Sequence, residues 1–159
     1  MNINIVCVGR LKEKYWTDAV NEYAKRLGRY AKIKIIELND EKAPENLSDA
    51  QKIQVMEKEG DRILKSIPSG SFVVALEIDG KNISSEELAS FIKNKMVNGV
   101  SDMTFVIGGS LGLSKEVTGR AEYHLSFSRM TFPHQMARVM LLEQIYRAER
   151  IICNEPYHK

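Results

Sequence analysis

The stretch "FVIGGSLGLSKEVTGRA", Phe105 to Ala121, runs from an apolar segment through a loop of small residues into a helical pattern opened by Ser114. An apolar, β-branched run ended by glycines has the character of a buried strand reaching its carboxyl edge, and a serine just before a helical pattern is a helix cap. Strand, loop and helix in that order form the repeating unit of a parallel sheet, whose ligands sit outside the carboxyl ends of the strands. The loop therefore has three candidate occupants: a phosphate, a dinucleotide, or a cofactor of another kind. A tight turn whose glycines supply positive φ is the plain structural alternative.

Working outward, the same alternation recurs along the chain. "INIVCVG" (Ile3 to Gly9) is strand-like, and Trp16, Val20, Tyr23 and Leu27 then follow at helical spacing. "IKIIEL" (Ile33 to Leu38) reads as a second strand, and Ser48 caps a helix carrying Ile53, Met56, Ile63 and Leu64. "SFVVALEI" (Ser71 to Ile78) is a third strand closed by an Asp79-Gly80 turn, and a Ser84/Glu87 capping box opens a helix that stops at Gly99. After the opening stretch, "YHLSFS" is the fifth strand and Pro133 to Cys153 one long helix, with Thr131 a candidate cap. Strands separated by helices predict an α/β fold, a mostly parallel sheet with helices on both faces. No repeat, linker or low-complexity tract divides the chain, so residues 1–159 are expected to form a single domain.

Composition limits the function classes. The amino terminus lacks the basic and small-residue features of a signal peptide, and no run approaches the roughly 18 apolar residues of a membrane span, so a cytoplasmic, membrane-free protein is expected. Cys7 and Cys153 stand outside any C-x-x-C pattern and are expected to be reduced packing residues. His124, His134 and His158 show no metal-ligand spacing, so no metal is expected. The net charge is only +2, yet residues 1–34 carry eight Lys/Arg against three acids, and residues 35–61 three Lys against eight acids. A segregated basic segment permits a polyanionic partner without requiring one.

The loop fails both common phosphate patterns. A Walker loop requires glycine where Leu113 or Ser114 stands, and the dinucleotide fingerprint requires it at Ser110 or Leu111. Two further strand ends bear on the question: Leu76 in "ALEIDG", and the polar loop Phe127 to Phe132 that leads into the long helix. If the three strands are neighbours, Leu76, Gly108 and Phe127 to Phe132 converge on one crevice. Main-chain groups surrounded by Phe, Met and Leu suit a flat heterocycle better than a polyphosphate. On the long helix Met136, Val139, Met140 and Ile145 form a stripe that is either core or a dimer seam. Arg129, Arg138, Arg147 and Arg150 are candidate phosphate contacts, although Glu143 is placed to pair with Arg147 one turn later.

The loop "VIGGSLGLS", the segment "LSFSRMTFPHQMARVMLLEQIYRAERI" and the tail "NEPYHK", in this order and over essentially the whole chain, resemble the bacterial ribosomal large subunit methyltransferase H family, the pseudouridine N3-methyltransferases of 23S rRNA. One departure is visible: members often carry His before the tail proline, where this chain has Glu155. The resemblance implies a SPOUT-type fold with a carboxyl-terminal trefoil knot, against the general rule that chains do not thread themselves. It implies S-adenosylmethionine as methyl donor, held at Leu76, Gly108, Phe127, Ser128, Arg129, Met130, Thr131 and Phe132. It also implies 23S rRNA within the assembled ribosome as substrate, a homodimer, and Tyr157 and His158 as catalytic residues, with His158 the candidate base. A methyltransferase of the same fold acting on another RNA position, and a ribosome-binding module without activity, are the alternatives.

Overall fold

The computed structural model describes residues Met1–Lys159. Five strands and five helices alternate: β1 (Asn2–Val8), α1 (Lys14–Leu27), β2 (Lys32–Leu38), α2 (Asp49–Ser66), β3 (Phe72–Asn82), α3 (Ser85–Val97), β4 (Asp102–Ile107), α4 (Lys115–Arg120), β5 (Tyr123–Ser126) and α5 (His134–Ile152). All strand pairs are parallel and the sheet order is β2-β1-β4-β3-β5. The α/β class with helices on both faces is as the alternation predicts. Period-two burial explains it: Ile3, Ile5, Cys7, Met103, Phe105 and Ile107 face α1, α3 and α5, whereas Val6, Val8, Val73 and Val106 meet Ile63 of α2 and Val117 of α4.

The helix starts are specified locally. Ser48 and Ser84 each accept a main-chain N–H at the third helical position, and Gln51 and Glu87 reach back to complete two capping boxes. Ser114 caps α4 in the same way through the N–H of Val117. α5 is the exception, because its N-cap is Pro133 and no side chain caps it, so Thr131 does not play the expected part. Nor does Asp79-Gly80 end the third strand. β3 continues to Asn82, with its register against β5 shifting between Leu76 and Lys81. The extra residues bulge where the strand passes the end of β5.

The core also corrects three expectations about side chains. Ile145 of the proposed stripe is fully buried, while Met136 is exposed, so the residues named together lie on different sides of α5. Cys7 is buried, and burial raises its thiol pKa to about 11, but Cys153 is exposed rather than part of the core. Arg138 is 0% exposed and cannot meet a phosphate: Nη1 donates to Glu37 Oε2 at 2.6 Å and Nη2 to the carbonyl of Gly9 at 3.0 Å. Because Leu11 N–H also donates to Glu37 Oε2 at 3.1 Å, one carboxylate ties the ends of β1 and β2 to α5.

Candidate active site

The carboxyl ends of β3, β4 and β5 open on a cleft of about 890 Å³, the size of an ordinary small-molecule site. β3 is the middle of these three strands, between β4 and β5, and β4 is the central strand of the sheet. The glycine loop forms one wall. Gly112 takes φ +89° and its N–H donates to the carbonyl of Gly109 at 3.1 Å, folding residues 109–112 back on themselves. A Cβ at Gly108 would lie 2.7 Å from the carbonyl oxygen of Gly112 and 3.0 Å from Leu113 Cδ2. Glycine is required there by the loop's own main chain, so the loop shape, rather than ligand volume, excludes a side chain at Gly108.

The opposite wall is the segment after β5, shaped by hydrogen bonds to the extended end of β3. Asn82 Nδ2 donates to the carbonyls of Ser126 at 3.1 Å and Phe127 at 3.0 Å. Ser126 Oγ donates to the carbonyls of Ile78 at 2.9 Å and Ser128 at 3.1 Å, and Met130 N–H donates to Ser128 Oγ at 3.0 Å. The bulged continuation of β3 is thus the scaffold that holds the Phe127–Phe132 loop over the cleft.

Of the expected cofactor contacts, Leu76, Gly108, Phe127, Ser128, Met130, Thr131 and Phe132 all line this cleft. Arg129 is exposed and is not among the lining residues. The lining also includes Glu77, Asp79, His134 and Gln135, which the spacing argument did not single out. His134 had a legible cue, as the residue after the helix-opening proline in a segment already assigned to the crevice. Glu77 and Asp79 had none, because a turn at Asp79-Gly80 would have carried them away.

The cleft fits a sulfonium nucleoside donor by the chemistry of its lining. Leu76, Ile107, Leu113, Leu125 and Phe132 offer apolar walls for a heterocycle, the folded glycine loop offers main-chain groups, and Glu77 and Asp79 offer carboxylates for hydroxyls or a cation. No group of three or more His, Cys, Asp or Glu is arranged to hold a metal ion, and no helix is long and apolar enough to cross a membrane.

Tyr157 and His158 lie elsewhere. Tyr157 packs edge-on against Tyr146 with ring centroids 4.9 Å apart, lies under the Arg147 guanidinium, and donates its hydroxyl to Glu143 Oε1 at 3.1 Å. Burial first, then that hydrogen bond, raises its pKa to about 12. His158 Nε2 is 2.8 Å from Glu86 Oε1 and its Nδ1 is 3.4 Å from Arg147 Nη1. Glu86, lowered to about 2 by its own main-chain N–H and then by His158, is a firm partner. The departure at Glu155 has a local role: it bonds the Tyr30 hydroxyl and pairs with Arg150 at 3.0 Å and Arg29 at 3.2 Å, fastening the tail to α5 and to the turn after α1. Arg147 pairs with Glu143, as the spacing predicts.

Residues 1–158 match the family described as "Predicted SPOUT methyltransferase". The chain is 58% identical over 159 residues, covering all of both proteins, to the ribosomal RNA large subunit methyltransferase H of Carboxydothermus hydrogenoformans. It is 60% identical, again over all of both, to the protein of the same name from Clostridioides difficile, and 57% to that of Clostridium novyi. The chain belongs to the SPOUT methyltransferase family and is a methyltransferase.

Proposed function

We propose that this SPOUT methyltransferase transfers a methyl group from S-adenosylmethionine to N3 of a pseudouridine in 23S rRNA, on the assembled ribosome and in the cytoplasm. The observation that carries this reading is identity near 58%, over all of both chains, to proteins named for large-subunit rRNA methylation. The cleft supports it by gathering seven of the eight residues expected to hold the donor. The whole chain, 1–159, forms a single SPOUT-type domain, and the knot implied by the resemblance belongs to its carboxyl-terminal half.

The bound donor supplies an electrophilic methyl on a sulfonium, so the protein's contribution is chiefly alignment of the attacking ring nitrogen. Leu76, Gly108 and the Phe127–Phe132 loop hold the donor. Arg10 and Lys12, exposed just beyond the carboxyl end of β1, and Arg129, exposed with no ion pair, are the cations available to rRNA phosphates. Tyr157 and His158 meet the target base from a second copy of the chain in a two-fold homodimer. Ile78, Met130 and Met136, 48%, 70% and 37% exposed, give the rim of the cleft the apolar surface such a dimer needs.

Deletion of Asn154 to Lys159 tests the assignment. Donor affinity measured by calorimetry is expected to stay near that of the full chain, while methylation of ribosomes from cells lacking this protein disappears. Mass spectrometry of 23S rRNA from those cells reads the position directly: loss of the methyl group from one pseudouridine is expected, and a full set of methylated pseudouridines would refute the substrate assignment.

A further inference from the structure

His134 is the one imidazole on the wall of the cleft. It is the first residue of α5, and its ring lies over Gly9 at the carboxyl end of β1. Gly9 takes φ +92°, and a Cβ there would come within 2.8 Å of His134 Nε2, so the glycine leaves the room that the ring occupies. Arg138, one turn further along α5, is the buried guanidinium that fixes the carbonyl of this same glycine. The ring thus packs against main chain that Arg138 in turn holds in place. It is half-buried and forms no hydrogen bond or ion pair within the chain.

The charges facing it are Arg138 from its own helix and Asp40 from the segment after β2, with Glu77 and Asp79 of β3 elsewhere on the cleft lining. Burial is the largest influence on the ring and Arg138 the next; both push its pKa below the ordinary 6.5, against a smaller upward pull from Asp40. Burial and Arg138 thus favour the neutral imidazole, whose Nδ1, the nitrogen turned away from Gly9, has no hydrogen-bond partner within the chain. His158, by contrast, has both ring nitrogens engaged, by Glu86 and Arg147.

We propose that His134 is the proton acceptor of the methyl transfer, receiving the N–H proton of the attacking ring nitrogen. The inference rests on the proposed function. As the nitrogen bonds to the methyl carbon, its N–H proton passes to the imidazole. The electron pair of the broken carbon–sulfur bond stays on sulfur, leaving a neutral thioether, and the imidazolium then returns its proton to water. His158 and Tyr157 position the base and do not take the proton.

The test pairs His134→Gln with His158→Ala. Single-turnover transfer to unmodified ribosomes is measured from pH 5.5 to 9, donor affinity by calorimetry, and histidine ring signals by NMR in the protein without donor. Wild type should keep a level rate above an acid limb lying below pH 6.5, matching one ring titration that vanishes in His134→Gln. That variant should bind donor as wild type does, lose about 10²–10⁴-fold in rate near neutrality, and recover about tenfold per pH unit as the substrate nitrogen deprotonates unaided. His158→Ala should lose rate by the same factor at every pH. A loss in His134→Gln that is equal at all pH values, a level wild-type-like profile in that variant, or an acquired slope in His158→Ala would overturn the assignment while leaving the methyltransferase reading intact. If wild-type protein methylates no ribosome, the substrate reading fails, and this inference with it.

Discussion

Replacing Arg138 by methionine removes the contact that joins β1, β2 and α5 beneath the cleft. Two hydrogen bonds disappear, the charged one to Glu37 at 2.6 Å and the one to the Gly9 carbonyl at 3.0 Å. The first is worth about 1.5–3 kcal/mol, and stranding a buried carbonyl costs about 1–3 kcal/mol. Two effects offset these losses. Glu37 keeps 37% of its side chain exposed and resolvates, and the buried Nε of Arg138, which has no partner, no longer carries a desolvation penalty. Methionine also fills most of the vacated volume. The net loss is about 3 kcal/mol, or about 6–12 °C in melting temperature for a chain of this size. The reverse truncation, Glu37→Met, leaves a fully buried guanidinium without its counter-charge and should cost more, about 3–5 kcal/mol. Urea unfolding with unchanged slope measures both. Buried pairs replaced by apolar residues are sometimes more stable than the original. If Arg138→Met matches or exceeds wild type, the pair does not hold this corner together and the Gly9 platform under His134 has another support.

Gly108→Ala should lower donor affinity more than tenfold and stability by about 1–3 kcal/mol, because its Cβ would lie 2.7 Å from the Gly112 carbonyl oxygen; calorimetry and thermal melting check the two effects. Glu59 of α2 is 4% exposed, with Oε1 accepting the N–H of Glu41 at 3.0 Å and Oε2 unpaired beside Gly109, and burial raises its pKa above 4.5. The folded state therefore binds more protons than the unfolded state above pH 4.5, and stability falls as pH rises from there through the raised value. Glu59→Gln should be more stable than wild type at pH 7.5, with the difference vanishing below pH 4.5, as read from urea midpoints. Sedimentation at micromolar concentration should show a species of twice 18.1 kDa, and a monomer alone would count against the homodimer.

Much of the fold is legible because its cues are local. Ser48, Ser84 and Ser114 announce helices by hydrogen bonds within three residues, and the strands are apolar on both faces because helices cover both. Local cues mislead where a distant contact overrides them. Asp79-Gly80 has the composition of a turn, yet the strand runs on because Asn82 and Ser126 bond β3 to the loop beyond β5. Arg138 has the composition of a surface cation on a helix, and only the arrival of Glu37 and Gly9 from β2 and β1 makes its burial tolerable. No spacing rule within α5 contains either partner.

The tail illustrates the same limit more sharply. α5 has 19 residues and is therefore about 28 Å long, with the cleft at its first turn and Cys153 just beyond its last. From Cys153 to His158 the chain spans at most about 18 Å when fully extended. In this chain the tail folds back along α5, with His158 beside Glu86 and Arg147 and Tyr157 against Tyr146, and neither residue lines the chain's own cleft. In the homodimer proposed above, Tyr157 and His158 act in the cleft of another copy, and the bonds of Arg147 and Glu143 to the tail, with those of Glu155 to Tyr30 and Arg150, set the tail's direction. On that proposal, catalysis by the tail requires the dimer. A mixture of tail-deleted chains with chains carrying Gly108→Ala should regain activity that neither has alone, since one then contributes the intact cleft and the other the intact tail.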